Sequence, residues 1–195
     1  MDKDLLIESI RKHILPGKAA EDRLLQLMRT KKLKRKDLLV NAGEVNDFSA
    51  FVLSGCLRSY SLDRNGFEHI IQFAPKGWWI ADISSLISGE PGKLSIDALE
   101  DSEILTLSRK DQETLFSEYP AFERFFRIII ENSVAAQHGR LMDYLGLNAQ
   151  ERYEGFCKRY PSLMQSLPQK LIASYIGVTP EFLSKMRAAM LKKKS

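Results

Sequence analysis

The sequence predicts an α+β protein: an N-terminal antiparallel sheet domain with flanking helices, then one long helix, then a small all-helical C-terminal unit. Three observations predict this. From Lys36 to Leu107, short apolar or alternating segments are punctuated by tight-turn chemistry. From Ala121 to Leu147 there is no proline, and apolar residues recur at spacings of three and four. From Gln169 to Met190, two short helical patterns hinge on a single glycine.

Residues 4–14 (DLLIESIRKHI) and 21–30 (EDRLLQLMRT) place apolar residues at helical spacing, and Pro16-Gly17 breaks the chain between them, so two short helices open the protein. The segments DLLV, FVL, CLRSYSL, FEHIIQF, LSIDAL and EILTLS follow. They are separated by Ala42-Gly43-Glu44, Ser54-Gly55, Asp63-Arg64-Asn65-Gly66 and Pro75-Lys76-Gly77, which reads as an antiparallel sandwich or barrel. In the long helix, Phe122, Phe125, Phe126, Ile128, Ile129 and Ile130 make the first half apolar on nearly every side. A helix with one side in water does not tolerate this, so one side is expected on the sheet domain and the other on a second copy of the chain. Burial inside a larger monomer is the other arrangement that would hide it, but little chain remains to supply the cover. Asn148 then caps AQERYEGFCKRY, which ends at Pro161, and SLMQSL links to the last two helices.

Composition narrows the chemistry. The 195 residues are 44% hydrophobic and 28% charged, an ordinary globular balance. No run is long and apolar enough for a membrane span, and MDKDLLIESIRKH lacks the features of a signal peptide, so a cytoplasmic location is expected. Cys56 and Cys157 lie far apart, and His13, His69 and His138 are scattered, so neither a metal site nor another cofactor is expected, nor a catalytic constellation. The net charge is +4, but residues 151–195 hold nine Lys/Arg against three acids, a surplus of six, leaving the first 150 residues at −2. A small basic unit beside a mildly acidic body points to a polyanionic partner.

The segment QKLIASYIGVTPEFLSKMRAAM (169–190) has helix-turn-helix spacing. Ala173 allows close crossing, Gly177 makes the turn, and Leu183 and Met186 pack the second helix inward. Thr179 is a good N-cap with Pro180 at the first helical position. With Leu183, Met186 and Met190 turned in, the outward stripe is Glu181, Ser184, Lys185 and Ala188. Glutamate accepts from a cytosine amino group and lysine donates to guanine acceptors. Arg187, Lys192, Lys193 and Lys194 are expected to meet phosphates, which supplies affinity rather than sequence choice.

In order and extent, these elements resemble the Crp/Fnr family of transcription regulators, and within it a divergent subgroup with truncated C-terminal domains. FVLSGCLRSY (51–60) resembles the family's strand-turn-strand that ends in a surface basic residue. KGWWIADISSLISGEP (76–91) stands at its phosphate-binding cassette, DALEDSEILTLSRKDQETL (97–115) at its closing strands, and LIASYIGVTPEFLSKMR (171–187) at its helix-turn-helix. The resemblance implies a β-roll or jelly-roll sensor domain over residues 1–120, a dimerisation helix over 121–147, and a DNA-binding domain over 148–195. It implies a homodimer on double-stranded DNA, with RNA polymerase and a small-molecule effector as further candidate partners. Thr179, Glu181, Ser184, Lys185, Arg187, Lys192 and Lys193 become the candidate DNA contacts. Trp78, Asp82, Ser84, Ser85, Lys93 and Ser133 become a candidate effector pocket.

The family's cyclic-nucleotide binders carry Gly-Glu early in the cassette and Arg-Ser or Arg-Thr late in it. Here Ala81-Asp82 and Gly92-Lys93 stand at those places, with a shorter carboxylate and no planar guanidinium fork. An effector other than cyclic AMP is therefore expected. The cysteine and histidine patterns of the family's iron–sulfur and haem branches are not present, and Leu191–Ser195 stands where the family has a β-hairpin wing. A sensor or scaffold module whose C-terminal helices bind a protein is the competing reading. A cupin-like enzyme would need metal ligands that the sequence does not cluster.

Overall fold

The computed structural model describes residues 3–164 and 166–192, and the chain divides into two compact units, Met1–Leu62 with Ile71–Glu131 and Asp63–Ile70 with Asn132–Ser195. The chain opens with α1 (Asp4–Arg11), α2 (Lys18–Leu27), β1 (Arg29–Leu33), β2 (Leu38–Val40), β3 (Phe48–Ser54), β4 (Cys56–Leu62) and β5 (Glu68–Pro75). It continues with β6 (Trp79–Ile80), α3 (Ile83–Ser88), β7 (Ser95–Ala98), β8 (Ser102–Ser108) and α4 (Arg109–Glu118). The closing helices are α5 (Ala121–Gly146), α6 (Ala149–Arg159), α7 (Gln169–Ile176) and α8 (Pro180–Lys192). No helix among the described residues is long and apolar enough to cross a membrane, and among them no group of histidine, cysteine or acidic side chains is placed to hold a metal ion.

The strands form two four-stranded sheets, one in the order β1-β8-β3-β6 and the other in the order β2-β7-β4-β5. Alternation sends Ala50, Val52 and Ile104 inward, onto Leu57, Ile96 and Ala98 of the other sheet. The intervening Phe51, Leu53, Leu105 and Leu107 point the other way, under α1, α2, α4 and the first turns of α5. Strands buried on both faces read as unbroken apolar runs, which is how FVL appears in the sequence. Leu6, Ile10, Leu24, Leu115, Phe122 and Phe125 complete the helix-side core, each fully buried. Arg11 fastens α1 to α2 through a bidentate pair with the buried Glu21, at 2.7 and 2.8 Å.

Two expectations are corrected here. The second helix ends at Leu27 rather than Thr30, because Arg29–Leu33 pairs along its whole length with β8, from Arg29 opposite Thr106 to Leu33 opposite Ser102. Only Leu33 of that strand is buried, so the sequence shows no alternation there. Its exposed Arg29, Lys31 and Lys32 instead keep an edge strand from pairing with other chains. Arg58, expected at the surface, is only 8% exposed. It lies directly opposite Asp97 across β4 and β7, donates to both carboxylate oxygens at 2.7 and 2.9 Å, and stacks 4.4 Å from the Tyr60 ring.

Removing one member of a buried ion pair leaves the other charge desolvated and unmatched. Asp97→Ala is expected to destabilise the protein by about 3 kcal/mol in urea unfolding, while replacing Arg58 and Asp97 together with leucine recovers most of that loss. Equal losses in the single and double variants would show that the pair is not what stabilises this face.

Candidate nucleic-acid interface and sensor segment

The second unit is built by caps. Asn148 accepts from the backbone of Gln150 and Glu151 at 3.0 and 3.1 Å, and the Glu151 carboxylate accepts from the Asn148 N–H at 2.8 Å, a complete capping box that starts α6. Gly177, at φ +73°, ends α7 in the left-handed conformation. The Val178 N–H donates to Ala173 O at 3.0 Å and the Gly177 N–H to Ser174 O at 3.3 Å, a Schellman motif that fixes the angle at which the chain leaves α7. A side chain at position 177 would also strike the Tyr144 ring. Thr179 Oγ1 accepts from the Phe182 N–H at 3.2 Å and starts α8, with Pro180 as its first residue.

Of the predicted inward positions, Ala173 and Leu183 are fully buried and Met186 and Met190 half-buried. Thr179, Glu181, Ser184, Lys185 and Ala188 are exposed, and the last four share one stripe of α8. The carboxyl of Glu181 is held below its ordinary range, first by its own backbone N–H, then by the Thr179 hydroxyl and by Lys185. Arg187 does not join the stripe. It is half-buried with its guanidinium 5.9 Å from the Tyr153 ring, and burial, followed by the neighbouring Cys157, raises that phenol's pKa. Lys192 closes α8, and Lys193 and Lys194 lie outside the described residues; among those described, no strand follows α8.

Phe182, which is not among the residues expected at the site, is 52% exposed beside the stripe. Its signal was available: it falls outside the register of Leu183, Met186 and Met190, and an apolar ring there can meet a thymine methyl group. Ser174 is likewise outside the expected site, and its hydroxyl donates to Glu68 O at 2.5 Å and accepts from the Ile70 N–H at 3.1 Å. Arg140 donates to Ile70 O at 2.6 Å, so α5 and α7 hold the first residues of β5 together.

In the first unit, Asp82 is buried and caps α3. Its Oδ1 accepts from the Ser85 N–H at 3.3 Å and its Oδ2 from the Leu94 N–H at 3.1 Å, while its own N–H donates to Asn46 Oδ1 at 2.8 Å. The buried Ser85 hydroxyl accepts from the Asn46 N–H and donates to Glu90 O. Gly92 packs so closely on Asp82 that a Cβ would lie 2.9 Å from its carboxyl carbon. The structure thus brings Asp82 and Ser85 together but leaves Ser84 and Lys93 exposed. Trp78 packs, half-buried, against the core between the sheets, and Ser133 lies in the part of α5 that belongs to the second unit.

Residues 30–119 match the cyclic nucleotide-binding domain family. No curated protein matches the chain in sequence. FixK2 from Bradyrhizobium japonicum has a similar solved structure, with a TM-score of 0.74 at 19% identity over 86% of each chain. The c-di-GMP responsive global regulator CLP from Xanthomonas campestris gives 0.70 at 12% identity, over 90% of this chain and 92% of that one. A protein from Eubacterium rectale, described as a transcriptional regulator of the Crp/Fnr family, gives 0.70 at 15% identity, over 90% and 84%. Residues 30–119 thus match the cyclic nucleotide-binding domain family, and the chain has the fold seen in these Crp/Fnr-type solved structures.

Proposed function

We propose that this chain is a homodimeric, DNA-binding transcription regulator of the Crp/Fnr type that answers to an effector other than cyclic AMP. Residues 1–120 are the sensor, 121–147 the dimerisation helix and 148–195 the DNA-binding domain. The observation that carries the reading is the Schellman turn at Gly177, which sets α8 on α7 with Glu181, Ser184 and Lys185 exposed along one stripe. The basic surplus of residues 151–195 supplies the sequence-independent attraction to phosphate.

Dimerisation is supported by the far part of α5. Ile130, Val134, Leu141 and Leu145 are 36%, 58%, 55% and 76% exposed and fall on one side of the helix at coiled-coil spacing. Ile129, by contrast, packs on the helix-side core. An effector other than cyclic AMP is supported by the cassette, where both oxygens of Asp82 already serve its own loop and the late position holds an exposed lysine.

Binding selections on random DNA test the principal claim. Two helices entering successive major grooves about 34 Å apart predict an inverted repeat with half-sites centred roughly one turn apart. Lys185→Ala or Glu181→Ala should relax the choice at particular base pairs, with affinity for the preferred site falling about tenfold. Deleting Lys192, Lys193 and Lys194 should weaken binding to all sequences alike and flatten the salt slope. The reverse pattern would show that α8 is not the reader. Light scattering tests the dimer: the wild type should be dimeric at micromolar concentration and Ile130→Glu/Leu141→Glu monomeric, and a monomeric wild type overturns it. Calorimetry tests the cassette, where a dissociation constant for cyclic AMP at or below about ten micromolar would overturn the reading of Asp82 and Lys93.

A further inference from the structure

Within the second unit, α5, α6 and α7 enclose an open cleft of about 260 Å³. Its wall carries three guanidiniums, those of Arg140, Arg152 and Arg159, against one carboxylate, that of Asp143. Arg152 donates from Nε to Ile176 O at 2.9 Å and from Nη1 to Leu147 O at 2.6 Å, which fixes its plane while Nη2 has no acceptor among the described residues. Aromatic rings lie beside these cations. The Arg140 guanidinium stands 4.3 Å from the Tyr175 ring and 5.6 Å from that of Tyr144, and that of Arg152 stands 5.2 Å from Tyr144. Phe156 packs 5.4 Å from Tyr175. A guanidinium stacked on a ring keeps its N–H groups in its own plane, where an anion can take two at once, and a flat ligand can extend the stack.

Two glycines in the wall point the same way. Gly139 and Gly155 sit inside α5 and α6, where each costs about 1 kcal/mol relative to alanine. Neither has the usual excuse, since a Cβ built at either meets nothing within 4 Å. Packing does not require glycine here; the missing side chains keep the cleft open. At 100° per residue, Gly139 and Asp143 fall on the side of α5 opposite Ile130, Val134 and Leu141, so a dimer formed through that stripe leaves the cleft accessible.

We propose that this cleft binds a small planar aromatic anion, with its charge on Arg152 and Arg159 and its ring stacked beside Tyr144. A carboxylate and a phosphate ester share this chemistry. The site lies outside the cyclic nucleotide-binding domain, and binding to it does not depend on α8 reading DNA.

Calorimetry on the full chain without DNA tests it, with benzoate and adenosine monophosphate as the two anion sources and inorganic phosphate and adenosine as charge-only and ring-only controls. At least one of the first two should bind with a dissociation constant near 100 μM or below, at least about tenfold tighter than either control, and the tighter one identifies the acid group. Gly155→Leu fills the cleft with a better helix former, and Arg159→Gln removes a charge at an exposed position. Each should weaken binding about tenfold or more with an unchanged or raised unfolding temperature. The proposal is overturned if neither anion binds with a dissociation constant near 100 μM or below, if phosphate alone binds as well, or if binding is undiminished in either variant.

Discussion

Strands β3 and β8 are apolar on both faces, and every large element of the first unit is placed by the need to cover them. Val52 and Ile104 on one side require a second sheet, while Phe51, Leu53, Leu105 and Leu107 on the other require helices. Three phenylalanines at the start of α5 meet that second demand, with Phe122 and Phe125 fully buried and Phe126 at 6% exposure. Each is worth about 3–5 kcal/mol against truncation to alanine. The sheet therefore anchors the first turns of the long helix firmly. Trp79 reinforces the joint, with its ring 5.3 Å from Phe51, 6.2 Å from Phe125 and 5.3 Å from Phe126.

That anchoring divides α5 into stretches with different obligations. Up to Ile129, its Phe122, Phe125, Phe126 and Ile129 face the core of the first unit. From Ile130 onward its apolar residues are exposed on one side, while Arg140 and Tyr144 on another turn to the rest of the second unit. Tyr144 donates its hydroxyl to Tyr175 O at 2.8 Å, and its ring excludes any side chain from position 177. The turn between α7 and α8 is thus set by a residue of α5 as well as by its own glycine.

Periodicity showed what periodicity reports. The long helix, the six principal strands and the two closing helices are all visible, because each buries residues at a regular interval. β1 escaped because a charged edge strand is held by backbone pairing and buries only Leu33. α3 escaped because six residues are too few to display a helical period, and its start is fixed by the Asp82 cap. At the site, the exposed stripe of α8 follows from the positions of Leu183 and Met186. The inward turn of Arg187 onto Tyr153 does not, since that partner belongs to another helix. The roles of Asp82 and Ser85 were equally hidden, because Asn46 lies well upstream of both residues that it joins.

The Ser174 hydroxyl stands in for a neighbouring strand. It accepts from one backbone group of β5 and donates to another two residues away, which is the service a paired strand would render. A hydroxyl has one position from which it does both. Sliding or turning α7 relative to Glu68 and Ile70 would strand a carbonyl and an amide at once, at roughly 1–3 kcal/mol for each group left without a partner. The hairpin end and the first helix of the helix-turn-helix are therefore geared, and displacement of either must carry the other with it or break both bonds together.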